Sequence, residues 1–386
     1  MFKQKIPLAW LQLSHEKIRL LVAIAGISFA DILMFMQLGF RDALFDSAVK
    51  FHTNVNGDIF LVSPQSTALI AMKSFPRRRL YQTLAFKDVE STTPIYLGFG
   101  IWKNPEKKNT RQIMVIGFNP ADRQLFQLPG VSENLEKMQL PDTYLFDEKS
   151  RTQFGDIPKM FKTGQRVETE VDGRKIGIGG LFTLGASFGA DGNLMTSDTN
   201  FARMFKQRDR GLIDVGVVKL KPGANVPATI AAMQAYFPKD VRVFSKEQFV
   251  DFEKSYWQTG TSIGFIFTLG TVMGFIVGIV IVYQILYTDV ADHLSEYATL
   301  KAMGYTDFYL LTVVFQEAII LSIVGFFPGM LAAMGLYTIT RNATSLPLLM
   351  TVARATTVLI LTMIMCLVSG AIAVRKLRAA DPADMF

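Results

Sequence analysis

The chain has 386 residues, of which 50% are hydrophobic and 19% charged, with a formal net charge of +7. This is too apolar for an ordinary soluble protein and too charged for one immersed wholly in lipid, so two kinds of region must alternate. Lys and Arg are spread over polar stretches and the ends of apolar runs, which favours a membrane-flanking role over nucleic-acid binding, and the single cysteine, Cys366, rules out an intramolecular disulfide or a cysteine-based metal site.

Residues 1–19 interleave Lys3, Lys5, Lys17 and Arg19 with Trp10 and Leu residues, the pattern of an amphipathic arm on a membrane surface. Residues 20–40 form an apolar run between Arg19 and Arg41. As a helix these residues rise about 31 Å, enough for a hydrocarbon core of about 30 Å. The run is longer than a signal-peptide core and is read as an uncleaved first span.

Residues 41–258 contain no apolar run long enough to cross a membrane, and turn pairs recur, among them Asn56-Gly57, Pro129-Gly130 and Pro222-Gly223. Alternating or β-branched runs predict strands over 58–62, 112–117, 166–171, 175–178, 214–220 and 241–244, with a helix over 226–236 and hence a β-α-β unit near the end. The expected fold class is therefore an α-helical membrane protein of four spans, with a large α+β domain inserted between the first and second. Gly177-Ile178-Gly179-Gly180-Leu181-Phe182 lacks the third glycine of a phosphate-cradling loop and reads as a flexible apolar loop.

No charge occurs between Lys254 and Asp289. As one helix this stretch would extend about 51 Å, so the second span, 259–288, is expected to project as a stalk, with Tyr256 and Trp257 near the interface. Gly270, Gly274 and Gly278 recur every four residues, a spacing that permits close packing against another helix of this chain or of a second copy. Residues 289–307 form a short polar connector, 308–340 the third span with Pro328 inside it, 341–354 a loop, 355–374 the fourth span and 375–386 a basic tail. Eight Lys and Arg flank the termini and the connector, against Arg341 and Arg354 in the last loop, so the positive-inside rule puts both termini and the connector in the cytoplasm.

Asp31 and Glu317 fall inside spans, where a carboxylate costs about 2.5–3.5 kcal/mol on insertion scales, so each must face protein or water. A proton relay or ligand site is one reading, and a structural hydrogen bond between helices, or neutralisation of the carboxyl group by burial, the other. No P-loop, nucleophile elbow or zinc-protease motif occurs, and neither a catalytic nor a metal site is expected.

In the connector, Val290, Leu294, Tyr297 and Ala298 form one helical side and Asp289, Asp292 and Glu296 another, with Gly304 placed to end the helix. An anionic leaflet repels an acidic face, so the pattern suits a groove on a basic protein. The string Ser295-Glu296-Tyr297-Ala298-Thr299-Leu300-Lys301-Ala302-Met303-Gly304 is similar to the R-E-I-G-x-L-K-A-L/M-G signature of MacB/FtsX-type ABC transporter permeases, with Ser295 where much of the family has Arg. The basic tail ending in Asp381-Pro382-Ala383 resembles that family's C-terminus, and the longer string from Asp292 to Tyr305 looks like the DevC branch, cyanobacterial permeases of a glycolipid exporter.

The resemblance implies a homodimeric inner-membrane permease that binds no cofactor itself. ATP and Mg would bind a separate ATPase, docked on Asp289, Asp292, Leu294, Glu296, Tyr297, Leu300, Lys301, Met303 and Gly304. It further implies a porter-and-Sabre-like outer domain, a membrane-fusion adaptor, a TolC-like channel and a lipid or glycolipid cargo moved by mechanotransmission. Lipoprotein release or control of a cell-wall hydrolase is the alternative within the superfamily, and a membrane-anchored ligand sensor the alternative outside it.

Overall fold

The computed structural model describes residues 15, 17–293, 299, 303, 304, 306–344 and 346–379. Four helices are long and apolar enough to cross a membrane: Lys17–Ala48, Ser262–Asp292, Asp307–Thr344 and Val352–Ala379. They contain most of each expected span and extend beyond it, because polar residues at span ends continue the helix into water. The third runs unbroken through Pro328.

The helices form one compact unit and residues 44–262 the core of a second, an α+β domain. Its eleven strands are β1 (Ile59–Val62), β2 (Phe75–Pro76), β3 (Val89–Lys103), β4 (Thr110–Phe118), β5 (Thr143–Asp147), β6 (Glu168–Val171), β7 (Arg174–Phe182), β8 (Asn193–Ser197), β9 (Leu212–Ile213), β10 (Val215–Leu220) and β11 (Arg242–Ser245). Nine form a mixed sheet in the order β11-β1-β10-β3-β4-β8-β5-β7-β6, while β2 and β9 pair separately. Helices and loops cover both faces. In β1, Ile59 and Leu61 enter one hydrophobic core and Phe60 and Val62 another, which is why the strand reads as a continuous apolar run. Both β10 and β11 pair antiparallel with β1, so they run in the same direction on either side of it. The helix Val226–Tyr236 joins them and is capped by the Asn225 side chain, completing the expected β-α-β unit in split form.

Two expectations need correction. The glycine-rich stretch 177–182 is not a loop but the end of β7, paired parallel with β5. A Cβ at Gly179 would fall 2.5 Å from Thr143 Cγ2 and one at Gly180 2.6 Å from Asn134 Oδ1, so these two glycines admit neighbours that pack too closely for a side chain. The charge-free stretch before Asp289 is likewise not one rod. The helix Lys246–Ser255 passes into a π-helical turn, Tyr256–Gly260, and Thr261 is extended (φ −126°, ψ 158°) before the 31-residue span begins at Ser262. Just before this break Trp257 is buried in the α+β domain, with Nε1 donating to Glu253 Oε1 at 2.8 Å.

Candidate functional site

The first span is the centre of the helical unit. It carries small residues where its neighbours approach, and its neighbours carry glycines where it approaches them. A Cβ on Gly274 would lie 3.3 Å from Leu33 Cβ, and one on Gly278 would lie 2.9 Å from Ala30 Cβ and closer still to Met365 Sδ of the fourth span. Gly270 meets Gln37 in the same way. On the third span, Gly325 backs onto Ile27, and Gly329 onto Asp31 and the Ser28 backbone. All three glycines of the four-residue repeat therefore face the first span of the same chain, the close approach typical of small-residue packing in membranes. Adding a large side chain to such a seam costs about 1–3 kcal/mol. Gly278→Leu is expected to lower the melting temperature in detergent, whereas Gly335→Leu, where nothing lies within 4 Å, leaves it nearly unchanged. Equal melting of the two variants would refute the seam.

Polar groups inside the unit bridge its helices. Asp31, fully buried, accepts a hydrogen bond from Thr362 Oγ1 of the fourth span. Ser28 Oγ donates to Gly325 O of the third at 2.8 Å, and Ser369 Oγ to Ile279 O of the second at 2.9 Å. Asp31 thus sits among helix-bridging bonds, where a carboxylate finds a donor without water.

The two ends of the unit are each closed by an arginine. At one, Arg354 is buried, donates to Asp42 Oδ2 through Nε (3.1 Å) and Nη2 (2.8 Å) and to Leu349 O through Nη1 (2.7 Å), and lies 5.5 Å over the Tyr337 ring. Tyr337 in turn donates to Phe35 O. In the sequence Arg354 stands only as a charge flanking the fourth span. Its pairing with a residue 312 positions away carries no local signal.

At the other end, Arg19 of the first span lies 3.6 Å from Asp289 Oδ1 and bonds Asp292, both at the end of the second span. His293 Nδ1 is 3.8 Å from Asp289 Oδ1, and the fully buried Glu317 of the third span is a direct neighbour of Asp289. Three spans thus meet through ionisable side chains where the connector begins. Asp289 is 4% exposed, so its carboxylate serves this junction and is not open to a docking groove; Asp292 points to Arg19 as well. Of the expected acidic face, Asp289 is therefore turned inward, because burial drives a carboxylate to the nearest cation, while the Asp292 side chain stays 49% exposed and Glu296 lies outside the described residues. Among the described residues no group of three or more His, Cys, Asp or Glu is placed to hold a metal ion.

Beyond the junction, Met303 is 63% exposed, and Met303 N donates to Thr299 O at 3.0 Å, closing a helical turn. Gly304 then takes φ +93°, the left-handed conformation that ends helices and favours glycine. Leu294, Glu296, Tyr297, Leu300 and Lys301 lie outside the described residues, as do residues 1–14 of the arm and 380–386 of the tail.

A chain with a large inserted domain, small-residue helix seams and a short connector leaving a charged junction invites comparison with known membrane components. Residues 265–382 match the family model described as FtsX-like permease C-terminal. This stretch resembles an FtsX-like permease C-terminal domain. The match takes in the second, third and fourth spans, the connector and the charged junction except Arg19. Among solved structures, similarity extends to the periplasmic region of MacB from Actinobacillus actinomycetemcomitans, at 10% identity over 50% of this chain and 91% of that one, with a TM-score of 0.37. It also extends to the extracellular domain of the ABC-type transporter YknZ from Gram-positive bacteria, at 10% identity over 49% of this chain and 100% of that one, with a TM-score of 0.35. Among curated proteins nothing matches the chain.

Proposed function

We propose that the chain is the permease subunit of a MacB/FtsX-type ABC exporter, without a nucleotide site of its own, and that its FtsX-like domain is driven by a separate ATPase bound at residues 289–304. The observation that carries this reading is the junction that Arg19 makes with Asp289 and Asp292, two residues of the stretch that matches the FtsX-like model. A push on the connector would reach the second span covalently and the first through Arg19. The glycine seam would then pass it along the bundle as a body, since packed helices transmit strain better than they absorb it.

In this reading both termini and the connector are cytoplasmic, in line with the Lys and Arg count, and the α+β domain lies outside. Two copies act together, the outer domain engages an adaptor leading to a TolC-like channel, and ATP and Mg occupy the ATPase alone. The cargo is a glycolipid or another hydrophobic envelope molecule, as in the DevC branch that the connector resembles. Purification of the chain from native membranes tests the assembly: an ATPase and an adaptor are expected to co-purify. Recovery of a cell-wall hydrolase without an adaptor or channel would overturn the export reading in favour of regulation.

A further inference from the structure

The α+β domain contains a cavity of about 400 Å³ that the permease reading does not use. Its floor is aromatic: Tyr96 and Phe201 ring centroids are 5.6 Å apart, and those of Phe201 and Phe205 4.6 Å. Two strand glycines make room for this floor. A Cβ on Gly98 of β3 would lie 2.7 Å from the Phe205 ring, and one on Gly117 of β4 would lie 2.6 Å from Phe201 Cβ. Glycine weakens a strand interior, so two of them beneath one aromatic pair mark a place where backbone and rings must approach closely.

The walls are cationic. Arg77, Arg203, Arg208 and Arg210 all line the cavity. Arg208 is committed to the fold: it donates to Leu97 O at 2.9 Å and pairs with the buried Asp214, while its guanidinium lies 5.4 Å over the Phe201 ring. Among the described residues Arg77, Arg203 and Arg210 have no carboxylate within ion-pair distance. Arg77 bonds Tyr81 and Arg203 the Asn200 side chain. Asp198 and Asp209 also line the space, but each accepts a local backbone N–H, from Thr199 at 2.7 Å and Gly211 at 2.8 Å.

From this arrangement we infer a ligand site for a small organic anion, with a phosphate or carboxylate held by Arg77, Arg203 and Arg210 and a flat ring resting on Phe201 and Phe205. Guanidinium groups fork onto such oxyanions and also stack on rings, and a volume of this order suits a small molecule better than a folded partner. The site is independent of the proposal about the ATPase.

Phenyl phosphate is the probe, titrated by calorimetry into the full chain in detergent, with inorganic phosphate alongside. Phenyl phosphate is expected to bind at one site per chain and at least tenfold more tightly than inorganic phosphate. Arg203→Glu and Arg210→Glu, both at exposed positions, are expected to weaken it at least tenfold each without changing the melting temperature of the ligand-free protein. Should either variant unfold, Phe205→Leu supplies the second measurement, since it removes the ring and should erase the preference for phenyl over inorganic phosphate. Absence of binding, equal affinity for the two anions, or affinity indifferent to the arginines would overturn the inference.

Discussion

Arg19→Gln is expected to destabilise the detergent-solubilised protein by about 2–3 kcal/mol. Breaking a fully buried ion pair costs about 3–5 kcal/mol, because the remaining charge is left without compensation. The figure is lower here because the Asp292 side chain is 49% exposed and water takes over part of its solvation. Asp289 cannot be rescued in that way, being 4% exposed, and with Glu317 beside it the junction would hold two buried carboxyl groups and no arginine. The double variant Arg19→Gln, Asp289→Asn should therefore recover part of the loss. A double-mutant cycle on denaturation in mild detergent measures the coupling, and additive losses would mean that Arg19 is not coupled to Asp289.

The second large effect lies in the α+β domain and depends on pH. His52 and Glu253, both buried, face each other at 3.5 Å between Nε2 and Oε2, where the segment after the first span meets the helix before the second. Burial pushes Glu253 up to about 7, against hydrogen bonds from Leu69 N and Trp257 Nε1 that favour its ionised form. Burial, with Lys246 nearby, pushes His52 down to about 3. The two have opposite linkage. Glu253 binds its proton more tightly folded than unfolded, so its contribution is complete at low pH and is lost as pH rises from 4.5 to about 7. His52 binds its proton less tightly when folded, so its contribution is complete above 6.5 and is lost as pH falls toward 3.

Across roughly pH 4.5–6.5 the two slopes cancel in the wild type. Removing either partner exposes the other at about 1.4 kcal/mol per pH unit, or nearly 3 kcal/mol over the window. Relative to wild type, Glu253→Gln should gain stability as pH rises through it. His52→Phe, which keeps a ring against Phe249, should lose stability over the same range. Unfolding curves at the two ends of the window decide this. A pH dependence identical in wild type and Glu253→Gln would mean that the folded protein does not hold the proton on Glu253.

Much of the architecture was legible because the bilayer imposes length. Apolar runs about as long as a hydrocarbon core is thick have few alternatives, and all four spans followed from them. Strands such as β1 and β10 showed as β-branched runs, but β3, the longest, did not. Pro94, Gly98 and Gly100 break its pattern, and the glycines make sense only once Phe205 and Asp172 are seen to occupy the space a side chain would need. The break at Thr261 is equally silent, since apolar composition fixes burial and length but not where a helix unwinds.

The site was readable in part. Gly304 follows from the turn chemistry of one residue, and its positive φ agrees with the expected helix end. Asp289 and Asp292 were visible as charges, but their partner was not. Arg19 stands 273 residues from Asp292, and no local spacing reveals such a pair. Helical periodicity could show which residues share a side and could not show that one of them is already occupied.

The central claim, that an ATPase docks on residues 289–304, is tested most directly by a cross-link from Met303. That residue is 63% exposed, and the chain's single cysteine, Cys366, is buried, so Met303→Cys creates one accessible thiol. In native membranes this thiol is expected to form a cross-link to an ATP-hydrolysing subunit, with hydrolysis falling as the cross-link forms. A thiol that cross-links to no ATPase, with hydrolysis unchanged after modification by a bulky maleimide, would contradict the account.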